Sequence, residues 1–224
     1  MSTQKLPQDR HYLTPLFEPA SVAIVGASET AGRVGQVLLT NMLAAGFSGP
    51  LFAVNPKYRE VHGVPCFPSL SRLPQRVDLA VIATPPATVP GIMADCGKAG
   101  VHAAVVITDG FSEIGAAGAA LERRTLNLAR QYGVRMIGPN CLGILRPEIG
   151  LNASFARGSA LRGSLALVSQ SGAVCTAMLD WAAANGAGFS SVVSMGGSAD
   201  VGFGEILDYL AADCLLYTSD AADE

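Results

Sequence analysis

The feature that most constrains the fold of this chain is a regular alternation of short apolar runs with segments of helical periodicity. Runs such as SVAIV at residues 21–25 and VDLAVIA at residues 77–83 are typical of strands that are buried on both faces. Strands that alternate with helices build parallel sheets through right-handed crossovers. The sequence therefore predicts an α/β fold with a doubly wound parallel sheet. Its predicted strands cover residues 21–25, 51–54, 77–83, 103–107 and 135–137, and its helices cover about 35–45, 89–98 and 116–132.

A second α/β segment follows the turn-rich stretch GPNCLGILRPEIG at residues 138–150, which is typical of a domain boundary. We expect an N-terminal arm at residues 1–20, a first domain at 21–148 and a partial second domain at 149–213. The second domain is predicted to contain strands at residues 164–168 and 191–195 and helices at 173–185 and 203–212.

The last segment, CLLYTSDAADE at residues 214–224, breaks this alternation without a turn signal. It resembles the translation of a sequencing adapter, so we expect a non-native tail; a genuine polar tail is the alternative. A gene interrupted near Asp213 would leave the second domain without its later strands. An unpaired sheet edge and uncovered apolar faces would then favour aggregation or dimerisation.

Charge and composition exclude several classes of function. The chain has 15 basic and 18 acidic residues, and three of the acidic ones lie within residues 220–224, so neither nucleic acid nor an anionic membrane is implied as a partner. No apolar run reaches the roughly 18 to 20 residues that span a bilayer. The N-terminus has no apolar signal core, and we expect a cytoplasmic protein. The five cysteines show no CxxC spacing, which argues against a metal site and against disulfides.

A glycine-rich turn follows the first predicted strand. Gly26 ends the strand, and Gly32 and Gly35 precede the first helix. Glycines let the backbone approach an anion, and a helix N-terminus presents free N–H groups to phosphate. The spacing departs from GxGxxG because Ser28 stands in the second glycine's place. The glycines could instead serve strand–helix packing alone, but the strand–loop–helix setting favours a phosphate site.

The end of the second strand indicates which ligand fits. Enzymes that bind NAD usually place Asp or Glu there to accept the ribose hydroxyls, whereas this chain has Asn55, Pro56 and Lys57. Lys57 and Arg33 could together meet the phosphates of a nucleotide-like ligand. Two solvated surface cations are the alternative.

Six motifs occur in a fixed order along the chain and carry a resemblance to a known family. The chain resembles the α-type half of succinyl-CoA synthetase and, more closely, the acyl-CoA synthetases that form ADP, over residues 21–213. The motifs are IVGAS with ETAGRVG at 24–35, AVNPKY at 53–58, IATPP at 82–86, VVITDGFSE at 105–113, GPNCLG at 138–143 and VSQSGA at 168–173.

This resemblance implies a Rossmann-like coenzyme A-binding domain followed by an incomplete flavodoxin-like domain. It also implies a second strand-to-helix turn that binds phosphate through Ser169, Ser171 and Gly172, although these residues suit a helix cap equally well. The implied coenzyme A site comprises Gly26, Ser28, Glu29, Thr30, Ala31, Gly32, Arg33, Asn55, Lys57, Thr84, Pro85, Ile107, Thr108, Asp109 and Asn140.

The family's reaction converts acyl-CoA, phosphate and a nucleoside diphosphate reversibly into a carboxylate, coenzyme A and a nucleoside triphosphate. It uses a phosphorylated histidine and an ATP-grasp module that binds nucleotide and Mg²⁺. His11, His62 and His102 do not occupy the place of that histidine, so the resemblance implies no catalytic residue in this chain. We expect a piece that binds coenzyme A without turnover, with an ATP-grasp module in the full-length protein or a partner subunit, and an oligomeric parent.

Two further residues refine these expectations. Cys141 has no His or Lys nearby in sequence to activate a thiolate, so a buried structural thiol is favoured. Thr176 stands where succinate-using members tend to carry tyrosine, which favours a small monocarboxylate as substrate.

Two other functions remain open at this point. The chain could be the acyl-CoA-sensing region of a protein lysine acetyltransferase, because the same modules occur fused to such enzymes. It could also belong to an NAD-linked dehydrogenase, against which the missing acidic residue after the second strand argues.

Overall fold

A computed structural model of the chain describes residues 11–213, which form two sheets flanked by helices. The strands are β1 Val22–Val25, β2 Leu51–Val54, β3 Glu60–Val61, β4 Val64–Phe67, β5 Leu79–Ile82, β6 Ala103–Val106, β7 Arg135–Ile137, β8 Gly143–Arg146, β9 Leu151–Ser154, β10 Leu161–Ser169 and β11 Gly188–Ser194. The helices are α1 Thr14–Phe17, α2 Val34–Ala45, α3 Val89–Lys98, α4 Ala116–Tyr132, α5 Gly172–Asn185 and α6 Phe203–Ala211.

The first sheet has the order β3-β4-β2-β1-β5-β6-β7, and the five strands predicted from sequence are all parallel in it. Strands β1, β5 and β6 are buried along their whole length, which explains their continuous apolar runs. The chain proceeds to β2 on one side of β1 and to β5 on the other. The predicted doubly wound α/β fold is therefore confirmed, and a ligand crevice is expected where the strand order reverses, at the carboxyl ends of β1 and its neighbours.

A hairpin that was not predicted from sequence extends this sheet. β3 and β4 pair antiparallel, and β4 adds to β2 in parallel. The two residues between them, His62 and Gly63, both have positive φ angles, 49° and 79°. This geometry matches the two-residue hairpin turns that suit the twist of paired strands.

The second sheet has the order β10-β11-β8-β9, with β10 and β11 parallel and β8 and β9 antiparallel to their neighbours. The stretch 138–150 is thus not only turns, because it contains β8. This strand is hard to predict from sequence because it begins with Gly143, a residue type that usually indicates a turn. Gly143 has a φ of 120°, and a Cβ at this position would lie 2.1 Å from the carbonyl oxygen of Ala153, so no side chain fits there. β8 lies before the boundary expected at residue 148, yet pairs with strands that follow it.

The N-terminal arm, as far as it is described, packs across both sheets. Leu13, Leu16 and Phe17 are fully buried, and the ring of Phe17 stacks on Tyr209 of α6 with centroids 4.5 Å apart. Residues 214–224, where a non-native tail is expected, lie outside the described residues. None of the helices in the part that is described combines the length and hydropathy needed to cross a bilayer.

Candidate functional site

A cleft of about 1130 Å³ opens at the carboxyl ends of β1, β2, β5 and β6 and extends toward the second sheet. Its position is the one that open α/β sheets use for ligands. Most of the residues predicted from sequence line it together: Gly26, Ser28, Thr30, Arg33, Asn55, Lys57, Thr84, Pro85, Ile107, Thr108, Asp109, Asn140 and Gly172.

The glycine-rich turn combines packing with an open helix N-terminus. A Cβ on Gly26 would lie 2.4 Å from the carbonyl oxygen of Ala83, and one on Gly35 would lie 2.0 Å from that of Gly26. These two glycines therefore allow the loop to pass close to β5 and to α2. Within residues 11–213, the amides of Val34 and Gly35 have no hydrogen-bond acceptor. Free amides in the first turn of a helix are suited to an anion.

Two cations face this cleft from neighbouring loops. Arg33 is the N-cap of α2 and Lys57 follows β2, and both are exposed. Neither forms an ion pair within the described part of the chain. The loop of Lys57 is fixed by Asn55, whose Nδ2 donates to the carbonyl oxygen of Ala27 (2.8 Å) and whose Oδ1 accepts from the amide of Lys57 (2.9 Å). The cleft is thus lined by two cations without an ion-pair partner in the described part of the chain, and one of them, Arg33, lies at the N-terminus of α2.

The ends of β5 and β6 are tied together by hydroxyl groups. Thr108 Oγ1 donates to the carbonyl oxygen of Thr84 (2.8 Å). Thr88 Oγ1 donates to the carbonyl oxygen of Pro85 (2.7 Å) and also lies within hydrogen-bond distance of Thr84 Oγ1 (2.9 Å). Asp109 lines the cleft and is exposed. This side of the cleft is therefore a wall held together by hydrogen bonds.

Part of the cleft was not anticipated from sequence. The segment that follows β4, together with α3, supplies a further wall, in which Asp95 Oδ2 accepts from the amide of Leu70 at 3.1 Å. The unpredicted lining residues include Tyr58, Pro68, Ser69, Leu70, Ile92, Asp95, Leu142 and Phe155. No local sequence pattern marks this wall, because Leu70 and Asp95 come together through packing of the segment after β4 against α3.

Some predicted residues stand at the margin or serve other contacts. Glu29, Ala31 and Gly32 are exposed and lie outside the lining, and Glu29 Oε1 accepts from the amide of His62 at 2.6 Å. Ser169 and Ser171 also lie outside it: Ser171 Oγ caps α5 by accepting from Val174 N (3.3 Å).

The thiol of Cys141 is buried, as expected from sequence. Its Sγ donates to the carbonyl oxygen of Val106 at 3.3 Å, and burial raises the pKa of Cys141 to about 12. A thiol with such a pKa is not a nucleophile at neutral pH. No cluster of His, Cys, Asp or Glu suited to a metal occurs among residues 11–213.

Comparison with known proteins gives two family matches along the chain. Residues 20–147 match the CoA binding domain, and residues 162–216 match the succinyl-CoA ligase-like flavodoxin domain. The second match begins where β10 begins, so the two matches follow the two sheets, apart from the β8–β9 hairpin between them.

Two of the proteins that this chain is similar to are ADP-forming acetate–CoA ligases. Acetate–CoA ligase [ADP-forming] I of Archaeoglobus fulgidus is 48% identical over 198 residues, which are 88% of this chain and 29% of that protein. The subunit alpha of acetate–CoA ligase [ADP-forming] I from Pyrococcus furiosus is 37% identical over 90% of this chain and 44% of its own length. The chain therefore spans less than half the length of these relatives and matches their coenzyme A-binding portion.

A solved structure gives the same result in three dimensions. The acetyl-coenzyme A synthetase 1 of Ca. Korarchaeum cryptofilum, in complex with phosphate and ADP, superposes with a TM-score of 0.88 at 41% identity. The superposition covers 91% of this chain and 44% of that one. None of the three relatives described here is an acetyltransferase.

Proposed function

The chain belongs to the CoA binding domain family, and on that basis we propose that it is the coenzyme A-holding part of an ADP-forming acyl-CoA ligase. The observation that carries the proposal is the convergence of Arg33, Lys57 and the free amides at the start of α2 on one cleft. Coenzyme A is polyanionic, with a pyrophosphate and a 3′-phosphate. Cations and helix amides are the groups that bind such phosphates.

We assign the two ends of the ligand from the charge along the cleft. The amides of α2 and Arg33 take the pyrophosphate, and Lys57, beyond β2, takes the 3′-phosphate on the ribose. The uncharged arm then runs past Ile107 and Thr108 toward Asn140. The absence of a carboxylate directly after β2 disfavours NAD, whose ribose hydroxyls need an acceptor there.

The remaining chemistry of the parent reaction is assigned to modules outside this chain. Phosphate attacks the thioester carbonyl of acyl-CoA to give an acyl phosphate and coenzyme A. The phosphoryl group then passes from the acyl phosphate to a histidine, which releases the carboxylate, and from the histidine to ADP. We propose that an ATP-grasp module carries out the last transfer and binds Mg²⁺ and nucleotide. A relative that is named as a subunit alpha supports a second subunit in some members. The Ser171 turn at the start of α5 is the proposed phosphate contact.

Titration calorimetry on the 224-residue chain tests this proposal with coenzyme A, 3′-dephospho-coenzyme A and NADH. The wild-type chain is expected to bind coenzyme A about tenfold or more tightly than the dephospho form, because a charge-assisted contact is lost. Lys57→Ala is expected to remove that difference, whereas Lys98→Ala, an exposed lysine on α3 outside the cleft, keeps it. A folded chain that shows no heat with coenzyme A, or that prefers NADH, contradicts the proposal.

A further inference from the structure

Phe155 brings an aromatic ring to the part of the cleft that lies between the two sheets. It follows β9 directly, lines the cleft, and is 40% exposed. Its neighbours there include Leu142, whose carbonyl oxygen accepts from the amide of Phe155 at 3.2 Å. A large apolar side chain with this exposure in a cleft wall is available to contact a ligand.

The backbone that carries this ring is held from α2. Nδ2 of Asn41 donates to the carbonyl oxygen of Ser154 (2.8 Å) and to that of Ala156 (3.0 Å). These are the residues immediately before and after Phe155, so one amide clamps the segment on both sides. With its own N–H bonded to Leu142, the segment cannot move away from the cleft without breaking three hydrogen bonds.

The surroundings of Phe155 are apolar, in contrast to the phosphate end. Leu142 lies close to Gly172, since a Cβ added to Gly172 would be 3.3 Å from the Cβ of Leu142. The adjacent Cys141 is a buried neutral thiol. The clamp at Asn41 lies eight residues beyond Arg33 on α2, which is about 12 Å along the helix axis. The cleft therefore has two cations on the loops after β1 and β2, the carboxylate of Asp109 after β6, and an uncharged end formed by Leu142, Gly172 and Phe155. Coenzyme A likewise carries phosphates at one end and an acylated thiol at the other.

From this arrangement we propose that Phe155 determines acyl specificity: its ring closes the uncharged end of the cleft and restricts the bound acyl group to short chains. Asn41 acts as its positioning residue through the two carbonyl oxygens. The inference rests on the proposed coenzyme A function and adds to it the residue that limits chain length. Pocket walls discriminate one added methylene by roughly tenfold or more.

Titration of the 224-residue chain with coenzyme A, acetyl-CoA and hexanoyl-CoA tests the inference. The readout is the ratio of hexanoyl-CoA affinity to coenzyme A affinity, which a loss of overall stability does not move. The wild-type ratio is expected to be low, and Phe155→Ala is expected to raise it by about tenfold. Asn41→Asp, which keeps the shape but loses both N–H donors, is expected to raise it in the same direction by a smaller factor.

Phe203→Ala is the matched control, because Phe203 is 41% exposed at the start of α6 and lies outside the cleft. An equal rise in Phe203→Ala, or an unchanged ratio in Phe155→Ala with coenzyme A still bound, overturns the inference and leaves the proposed function standing. A wild-type chain that binds no coenzyme A overturns both. If circular dichroism shows that Phe155→Ala does not fold, Phe155→Leu carries the test, with a rise of about threefold expected.

Discussion

Asn55 shows how a single side chain that lines the cleft can also shape it. Both polar atoms of its amide bond to backbone groups, one in the loop after β1 and one at Lys57. Enzymes that bind NAD usually have Asp or Glu at this position, where the carboxylate accepts hydrogen bonds from the ribose hydroxyls. In the structure the Asn55 side chain has a role of its own, because it connects the loop that carries Arg33 with the loop that carries Lys57.

The isosteric change Asn55→Asp tests this role. A carboxylate cannot donate to the carbonyl oxygen of Ala27, and its charge would also face the phosphate end of the cleft. We expect the free energy of unfolding in urea to fall by about 1–3 kcal/mol. Coenzyme A affinity in calorimetry should also drop by about tenfold.

The control for this change is Asn127→Asp, an exposed position on α4, which should alter neither quantity. Stability equal to that of the control would contradict the bridging role. A gain of NADH binding in Asn55→Asp would mean that this one position decides the class of ligand.

Among the elements, those with a strong periodic pattern were predicted and those made by tertiary pairing were not. All five parallel strands of the first sheet lie within about two residues of their expected bounds, because continuous β-branched runs stopped by turn residues have few alternatives. The β3–β4 hairpin, β8 and β9 were missed, since they are short and contain or adjoin Pro and Gly.

The candidate site likewise contains residues that were predicted from sequence and residues that were not. Residues at the ends of β1, β2, β5 and β6 were placed together from sequence, because parallel strands present their carboxyl ends to one crevice. Asp95 and Phe155 were not, because they reach the cleft from α3 and β9 through packing that no local pattern encodes. The wall that we assign to acyl specificity was therefore visible only in the folded chain.

A substitution at Ser171 distinguishes its role as the N-cap of α5 from its proposed role in binding phosphate. Ser171 Oγ accepts from Val174 N, so Ser171→Ala is expected to lower the free energy of unfolding by about 1 kcal/mol even without phosphate. Thermal denaturation with and without phosphate measures this, with the exposed Ser159→Ala as control. If Ser171→Ala leaves the free energy of unfolding unchanged in phosphate-free buffer, the Ser171 hydroxyl does not stabilise the helix as a cap.

At the scale of the whole molecule, the arm and the second sheet are joined by a buried ionic cluster. Arg146 of β8 is 2% exposed and contacts Asp213 at 2.7 Å and Glu18 at 3.7 Å, while the hydroxyl of Tyr209 donates to Glu18 at 2.7 Å. Burial, and then the bond to Glu18, raise the pKa of Tyr209. The Arg146–Asp213 pair is buried, so breaking it would leave an uncompensated charge. The arm joins this pair through Glu18, which is half exposed and contacts both Arg146 and the hydroxyl of Tyr209.

The opposite side of the second sheet is much less covered. β10 is an edge strand in the described structure, and Leu161 and Leu165 on it are 49% and 50% exposed. On α5, Val174 and Trp181 are 48% and 54% exposed. An open strand edge beside exposed apolar groups is a template for pairing between molecules, so we expect the chain to self-associate.

Light scattering coupled to size-exclusion chromatography checks this expectation as a mass that rises with protein concentration. Leu165→Lys places a charge on the open strand, which should oppose strand pairing and return the mass toward the monomer. Ile114→Lys, at a position that is 65% exposed beside α4 in the first domain, should leave self-association as it is. A wild-type chain that is monomeric at every concentration would contradict self-association through the exposed face of β10 and α5. Equal effects of Leu165→Lys and Ile114→Lys would indicate that net charge, and not the open edge of β10, controls self-association.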